Sequence, residues 1–119
     1  MEKLEKDIEK SLVQMVRQHG GLCLKWVCPS WVGVPDRIIL LPGGRVMFVE
    51  LKRSKTSSVS AMQVWWARKL KDLGFVHRWV KCPEDVAALE SVIVAQLRPQ
   101  KYDGYSAQFV VLDELEDRK

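Results

Sequence analysis

The sequence predicts an α/β fold in which helices flank a mixed central sheet. Two patterns of apolar residues indicate it. Segments with apolar residues three or four positions apart are typical of amphipathic helices, and short segments with alternating or continuous apolar residues are typical of strands. Glycine- and proline-containing turns separate the segments. The predicted order is α-β-β-β-α-β-α, a three-stranded meander and then a helix that crosses over to a fourth strand.

The first half of the chain supplies one helix and three strands. The first helix ends at Gly20 and Gly21, and a strand begins at Leu22. The next two strands, residues 37–41 and 45–53, flank a turn of one proline and two glycines. The apolar stripe of the helix is Leu4, Ile8, Leu12, Met15 and Val16.

The second half supplies two helices around one strand. A helix over residues 60–73 ends before Gly74, and a strand follows over residues 75–81. Pro83 begins the last helix. Its predicted buried stripe is Val86, Leu89, Ile93 and Leu97. We assign residues 1–98 to one domain and residues 99–119 to a C-terminal extension with a predicted edge strand at 109–112 and a charged tail.

Length and composition indicate one ordinary globular domain. The 119 residues are 47% hydrophobic and 29% charged, which excludes disordered and low-complexity classes. The longest apolar runs have four residues, too few to cross a bilayer, and the charged N-terminus does not resemble a signal peptide. We therefore expect a cytoplasmic protein, in a bacterium or a phage-infected host. Three irregularly spaced cysteines predict buried thiols rather than disulfides or a zinc site.

The charge distribution points to a polyanionic partner. Residues 45–81 hold nine basic and two acidic side chains, whereas the segment after residue 81 is acidic. Such a block suits DNA, although a solvated surface is the alternative explanation.

The hairpin turn sets which residues of its two strands face each other. Proline at position 42 suits the first position of a type I turn, and Gly44 suits the left-handed residue that closes a three-residue loop. Leu41 then pairs with Arg45, and Asp36 lies opposite Glu50. A two-residue loop would place Asp36 one residue away, opposite Leu51.

Either register brings two carboxylates together. Glu50 and Lys52 also share a strand face with apolar residues, which indicates an internal ion pair or a functional site. Spacing alone leaves both open. Two acids at one place repel unless a cation lies between them. With no Cys or His nearby, oxygen ligation favours Mg²⁺, with Mn²⁺ as a substitute.

The longer pattern resembles the virus-type replication-repair nuclease (VRR-NUC) branch of the PD-(D/E)xK nuclease superfamily. It consists of an acidic first helix, Gly-Gly before a lysine-bearing strand, Gly-Val-Pro-Asp-Arg at 33–37, Gly-Gly-Arg-Val-Met-Phe-Val-Glu-Leu-Lys at 43–52, and Gln63 followed three residues later by Trp66. The likeness spans residues 5–89. It implies a restriction-endonuclease-like α-β-β-β-α-β core.

The resemblance also implies an activity and a set of site residues. In such nucleases, Asp36 and Glu50 would hold Mg²⁺ with help from the backbone carbonyl of Leu51, while Lys52 would orient or deprotonate the attacking water. Glu9 is our candidate for the helix carboxylate and a further metal ligand. The alternatives are a solvated charge at this position, or Glu5 in the same role.

Several other positions have a functional and a structural interpretation. Gln63 matches a glutamine of the family and also completes a helix capping box that begins at Ser60. Trp65 and Trp66 would stack on DNA bases, or would form core or dimer contacts. The predicted DNA-contacting residues are Lys25, Arg37, Arg53 and Lys55, and a surface position is the alternative for Lys25.

The predicted function is Mg²⁺-dependent, structure-selective cleavage of branched DNA, such as a Holliday junction, by a homodimer. A DNA repair role and a phage or prophage origin would fit the family. The alternatives are a nicking or flap nuclease with the same core, and a non-catalytic basic DNA-binding module. The presence of Asp36, Glu50 and Lys52 argues against the last one.

Overall fold

The computed structural model describes residues 2–52 and 59–97, with side chains from residue 6 onward. Four predicted features lie outside these residues: the loop with Arg53 and Lys55, the edge strand at 109–112, the charged tail and the domain boundary after residue 98. The side chain of Glu5 is also outside them. Within the described residues, no helix is long and apolar enough to span a membrane.

The order of helices and strands agrees with the sequence prediction. Each element predicted within the described residues is present. The first strand was predicted to continue to the turn at Cys28 but ends at Lys25, and the third ends at Leu51 rather than at residue 53. The elements are α1 (Glu2–Gln18), β1 (Leu22–Lys25), β2 (Arg37–Leu41), β3 (Arg45–Leu51), α2 (Ala61–Asp72), β4 (Val76–Val80) and α3 (Pro83–Leu97).

The four strands form one mixed sheet in the order β1-β2-β3-β4. The first three strands pair antiparallel, and β4 pairs parallel to β3 after the crossover through α2. This arrangement confirms the predicted α/β class. A parallel neighbour requires such a crossover, because a tight turn can join only antiparallel strands.

The β2–β3 turn has the predicted length but not the predicted type. Leu41 pairs with Arg45, so the loop has three residues. Gly43 and Gly44 both have positive φ, +84° and +74°. A type I turn requires a negative φ at its second central residue, so the type I prediction was wrong and Gly43 fits a type II turn. Two consecutive glycines make this choice nearly free of steric cost.

The main core lies between one face of the sheet and the helices α1 and α3. Their apolar stripes meet strand residues that alternate with outward-facing ones, as period two requires. Side chains with no or almost no exposure include Leu12, Val16, Ile39, Met47, Val49, Val80, Leu89 and Ile93. A contact of 2.9 Å between His19 and Glu90 joins the end of α1 to α3.

The opposite face of the sheet is only partly covered. Helix α2 packs against β4 and buries just Ala67 and Leu70, while Leu22 and Leu24 of the edge strand β1 stay exposed. The cysteines also differ from expectation. Cys23 is buried, but Cys28 and Cys82 are only half-buried.

The loop between β1 and β2 packs tightly on the start of α2 through Gly33. This glycine has φ +86°, and a Cβ atom placed on it would lie 2.6 Å from the Cβ of Met62. The loop carries Pro35 and Asp36 into β2. Its packing therefore fixes the distance between the start of β2 and the first turn of α2.

We expect Gly33→Ala to destabilise the protein by roughly 2–5 kcal/mol, because left-handed φ and overpacking both add cost. Gly44→Ala is the matched control, since Gly44 has φ +74° but no atom within 4 Å of the added Cβ. It should lose only the backbone contribution, about 1–2 kcal/mol. Urea unfolding of both variants measures the difference, and equal losses would mean that the Met62 contact does not matter.

Candidate active site

Two carboxylates meet where β2 begins and β3 ends. Arg37 pairs with Val49, so Asp36, one residue earlier, lies beside Glu50, one residue later. The backbone N–H of Leu51 donates a 2.9 Å hydrogen bond to Oδ2 of Asp36. The two acidic side chains are close enough for Asp36 to affect the pKa of Glu50. Asp36 is exposed and Glu50 is 3% exposed, so one member of the pair faces solvent and the other the interior.

Burial changes the protonation of Glu50. It raises the pKa of this carboxyl group to about 8, and the neighbouring Asp36 adds to the rise, while Lys52 and Gln63 oppose it. Below about pH 8 the Glu50 carboxyl group is therefore mostly protonated in the metal-free protein. A cation between the two groups would replace that proton.

Lys52 and Gln63 complete a hydrogen-bonded group around Glu50. Nζ of Lys52 donates to Oε1 of Gln63 at 2.9 Å, and Nε2 of Gln63 donates to Oε1 of Glu50 at 3.0 Å. Lys52 is only 7% exposed, and its ammonium lies 5.5 Å from the ring centroid of Trp79. The positive charge of Lys52 is therefore held close to the carboxylate pair, where it opposes the rise in the Glu50 pKa.

Gln63 also has the structural role that the sequence predicted. It is the third residue of α2, and the capping box with Ser60 is present: Gln63 N–H donates to Oγ of Ser60 at 3.1 Å, and Ser60 N–H donates to Oε1 of Gln63 at 3.0 Å. Oε1 therefore accepts from the helix cap and from Lys52. One side chain ties the start of α2 to Glu50.

Glu9 and Arg37 form an ion pair in the wall of the cavity that Asp36 also lines. The guanidinium of Arg37 donates to Oε1 of Glu9 and, at 3.3 Å, to the carbonyl of Cys23. This leaves the Arg37 side chain 10% exposed, so a DNA contact through it stays a prediction with little surface available. Glu9 lines the same cavity as Asp36, but its carboxylate is held by the arginine.

A cavity opens at the exposed carboxylate. Asp36 and Leu51 lie at its wall, and the exposed Lys25 contributes a positive charge. The structure thus brings Lys25, a predicted phosphate contact, to the same opening. The full lining is Glu9, Lys25, Trp26, Val27, Asp36, Arg37 and Leu51.

Comparisons with known proteins agree with this fold. A solved structure described as "VRR_NUC domain" superposes with a TM-score of 0.67 and 25% sequence identity, over 71% of this chain and 91% of the other. The chain has a VRR-NUC domain. No family model matches it.

A phage protein is similar over a shorter stretch. "Putative nuclease p44" of Acyrthosiphon pisum secondary endosymbiont phage 1 is 52% identical over 48 residues, which are 40% of this chain. The match covers 52% of the relative, so the chain spans about half the length of this curated protein.

The donor set of the VRR-NUC domain suits a hard cation with few protein ligands. Asp36 and Leu51 line the opening, and the buried Glu50 lies beside Asp36. Oxygen donors of this kind suit Mg²⁺, which commonly binds one or two carboxylates while keeping several waters. Within the described residues, no group of three or more His, Cys, Asp or Glu side chains is arranged to hold a metal ion. One carboxylate oxygen of Glu9, Oε1, is already bound to Arg37.

Two tryptophans near the site were not predicted. Trp26 lines the cavity, and Trp79, which pairs with Glu50 across the parallel β3–β4 ladder, lies under Lys52. Trp26 continues the alternation of β1 and was visible as a strand residue only. For Trp79 no sequence signal exists, because the register of a parallel pair is not set by a short turn.

We expect Glu50→Gln to stabilise the metal-free VRR-NUC domain at pH 8 and above. In the unfolded chain this group ionises near its ordinary pKa of 4.5, whereas in the folded protein the pKa is about 8. Folding stability supplied by the protonated form is thus lost as pH rises from 4.5 through 8. The glutamine side chain cannot ionise. The free energy of unfolding of the variant should therefore exceed that of the wild type by an amount that grows over that range, to about 1–3 kcal/mol.

Thermal unfolding in EDTA at about pH 5 and about pH 8.5, on either side of this titration, measures the difference. Asp36→Asn is a useful companion, because it removes the charge that faces Glu50 but leaves the buried group in place. A Glu50→Gln advantage that is the same at both pH values would mean that Glu50 does not titrate between them.

Proposed function

We propose that this protein is a Mg²⁺-dependent DNA endonuclease that hydrolyses phosphodiester bonds in branched DNA, with four-way junctions as the preferred substrate. The observation that carries the proposal is the Asp36–Glu50 carboxylate pair with the Lys52 ammonium beside it, in a VRR-NUC domain. The phage relative described as a nuclease supports the same activity.

Asp36, Glu50 and the Leu51 carbonyl would hold the metal ion. When bound, Mg²⁺ would lower the pKa of a water molecule and stabilise negative charge on the phosphate, and Mn²⁺ would substitute for it. Asp36 is the exposed entry ligand, and Glu50 is the buried one that gives up its proton. We assign Glu9 a supporting role at the cavity wall.

Lys52 acts on the water and the phosphate. Gln63 holds the ammonium group and Trp79 lies beside it, so the charge is fixed in direction rather than free to move on its long side chain. An ammonium held in this way orients the attacking water, and it offsets charge that develops on the phosphate; in its neutral form the amine would accept the proton of the water. Gln63 is a positioning residue, since it contacts both Lys52 and Glu50.

The proposed DNA surface extends from the cavity. Lys25 lies at the opening, and exposed Arg68, Lys69 and Arg78 belong to the basic segment 45–81. Arg53 and Lys55 stay predicted phosphate contacts outside the described residues. Lys25 and Asp36 line the same cavity, so the ammonium group of Lys25 would contact a phosphate bound there.

We expect Asp36→Asn and Glu50→Gln to abolish DNA cleavage, with a loss on the order of 1000-fold or more in rate, as for removal of a metal site. Each change removes one ligand charge and conserves side-chain volume. DNA binding should persist within a few-fold. Gel assays with Mg²⁺ and with excess EDTA measure both, and wild-type cleavage by either variant would exclude this metal site.

We expect Lys52→Ala to lower turnover on the order of 100-fold or more, as for loss of an acid–base or charge-stabilising group. Metal binding, measured by calorimetry with Mn²⁺, should persist because the two carboxylates stay. Lys81→Ala, which removes a basic residue just after β4, is the control. Loss of metal binding in Lys52→Ala would instead make the lysine a structural partner of Glu50.

The substrate class and the assembly are tested together. A homodimer would place two sites on opposite strands of a four-way junction, which paired cuts require. The protein should cut such a junction faster than flap or linear duplex DNA of equal length, and light scattering should give close to twice 13.7 kDa. A monomer that only nicks or trims flaps would support the nicking or flap alternative. DNA binding without cleavage in any metal would support the basic binding module.

A further inference from the structure

A pair of exposed indoles lies outside the catalytic group. Trp31 is 53% exposed and Trp65 44% exposed, and their rings are parallel within 5° at a centroid distance of 6.3 Å. We call Trp31 and Trp65 the indole pair. Exposed tryptophans are unusual on the surface of a domain with an otherwise well-filled core, because their burial is strongly favourable.

The indole pair is held rigidly by Trp66. Its ring meets Trp31 edge-on at 5.8 Å and Trp65 edge-on at 5.2 Å. The indole N–H of Trp66 donates to the carbonyl of Val32 at 3.1 Å, which ties α2 to the loop that carries Trp31. Two exposed rings on different segments therefore keep one orientation, and little side-chain freedom is lost when a ligand binds.

A continuous set of ring contacts joins the indole pair to the catalytic cavity. Trp66 contacts Trp26 at 5.8 Å, and Trp26 lines the cavity with Asp36 and Leu51. Gln63, three residues before Trp66 on α2, contacts Glu50 and Lys52. Two successive ring contacts, from Trp26 to Trp66 and from Trp66 to either indole, therefore connect the cavity with the pair.

The charge beside the pair suits a phosphate backbone. Trp65 shares a surface groove with Arg68 and Lys69, and Asp72 is the acidic residue of that groove. Aromatic rings next to basic side chains are the combination that binds single-stranded DNA, since every base has a flat face and every nucleotide a phosphate. A base inside a duplex has both faces covered by its neighbours, so the pair can stack on an unpaired base but not on an internal base pair.

We propose that the indole pair stacks on an unpaired nucleobase at the branch point of the DNA substrate. This inference rests on the proposed function, because it names the feature of DNA that the same site would recognise. A second copy of this chain is the competing occupant. The adjacent positive charges and the ring contacts that lead to the cavity favour the nucleobase.

The test is binding of the whole chain to two fluorescent DNAs in EDTA, where no metal-dependent cleavage occurs. One is a linear duplex, and the other has the same duplex with an unpaired flap. The Trp31→Ala/Trp65→Ala variant should lose on the order of 10-fold or more in affinity for the flap DNA, as for other base-stacking residues, and less than about 2-fold for the duplex. Trp31→Phe/Trp65→Phe should restore most of the loss.

Leu73→Ala is the matched control, an exposed apolar residue just after α2 that takes part in none of these ring contacts. A second readout is 2-aminopurine in the flap, whose fluorescence wild-type protein should quench and the double alanine variant should not. Circular dichroism shows whether the double variant is folded at the assay temperature. If it is unfolded, the affinity of the Trp31→Ala variant for the two DNAs and the quenching by wild-type protein test the proposal instead.

Equal losses on both DNAs, or no quenching by wild-type protein, would overturn the proposal. So would a double variant whose mass falls to half that of wild type while affinity falls equally for both DNAs, because the pair would then be a contact between copies. If the protein binds the flap DNA selectively and quenches 2-aminopurine but cleaves no DNA in Mg²⁺, base stacking is supported and the nuclease function is refuted.

Discussion

Asp36 and Glu50 repel each other when both are ionised, and the contacts around them offset this repulsion. The antiparallel register of β2 and β3 forces the two acids together, and burial of Glu50 makes its ionised form costly. The protein does not remove this cost by moving the groups apart. It keeps Glu50 protonated below about pH 8, places Lys52 nearby and directs the side-chain amide N–H of Gln63 at the buried oxygen. An isolated buried pair without these partners would be strongly destabilising.

The two faces of the sheet divide the remaining work. The helices α1 and α3 bury their apolar stripes on one face and supply the rigid core that fixes the strands. Helix α2 lies on the other face, buries little, and brings Gln63, Trp65 and Trp66 to the site and its surroundings. Because α2 carries these residues, it packs tightly against the loop between β1 and β2 although it buries few residues itself. The tight contact is between Gly33 of the loop and Met62 of α2.

Local signals in the sequence predicted much of this arrangement. The meeting of Asp36 and Glu50 followed from the turn between their strands, since a short turn fixes antiparallel register, and the cap at Ser60 followed from the spacing to Gln63. The turn type was wrong because two adjacent glycines permit several conformations. The partner of Glu9 was not predicted, since nothing local relates it to Arg37, 28 positions later. The place of Trp79 depends on parallel pairing across a whole helix, which no spacing encodes.

The capping box at Ser60 has a consequence for how the site assembles. Gln63 accepts the N–H that begins α2 with the same oxygen that accepts from Lys52, and its amide reaches Glu50. Fraying of the first helical turn therefore withdraws the glutamine from both charged groups at once. Helix initiation and assembly of the hydrogen bonds around Glu50 become one local equilibrium. Slow hydrogen exchange at the backbone N–H of Gln63 would report how rarely these hydrogen bonds open.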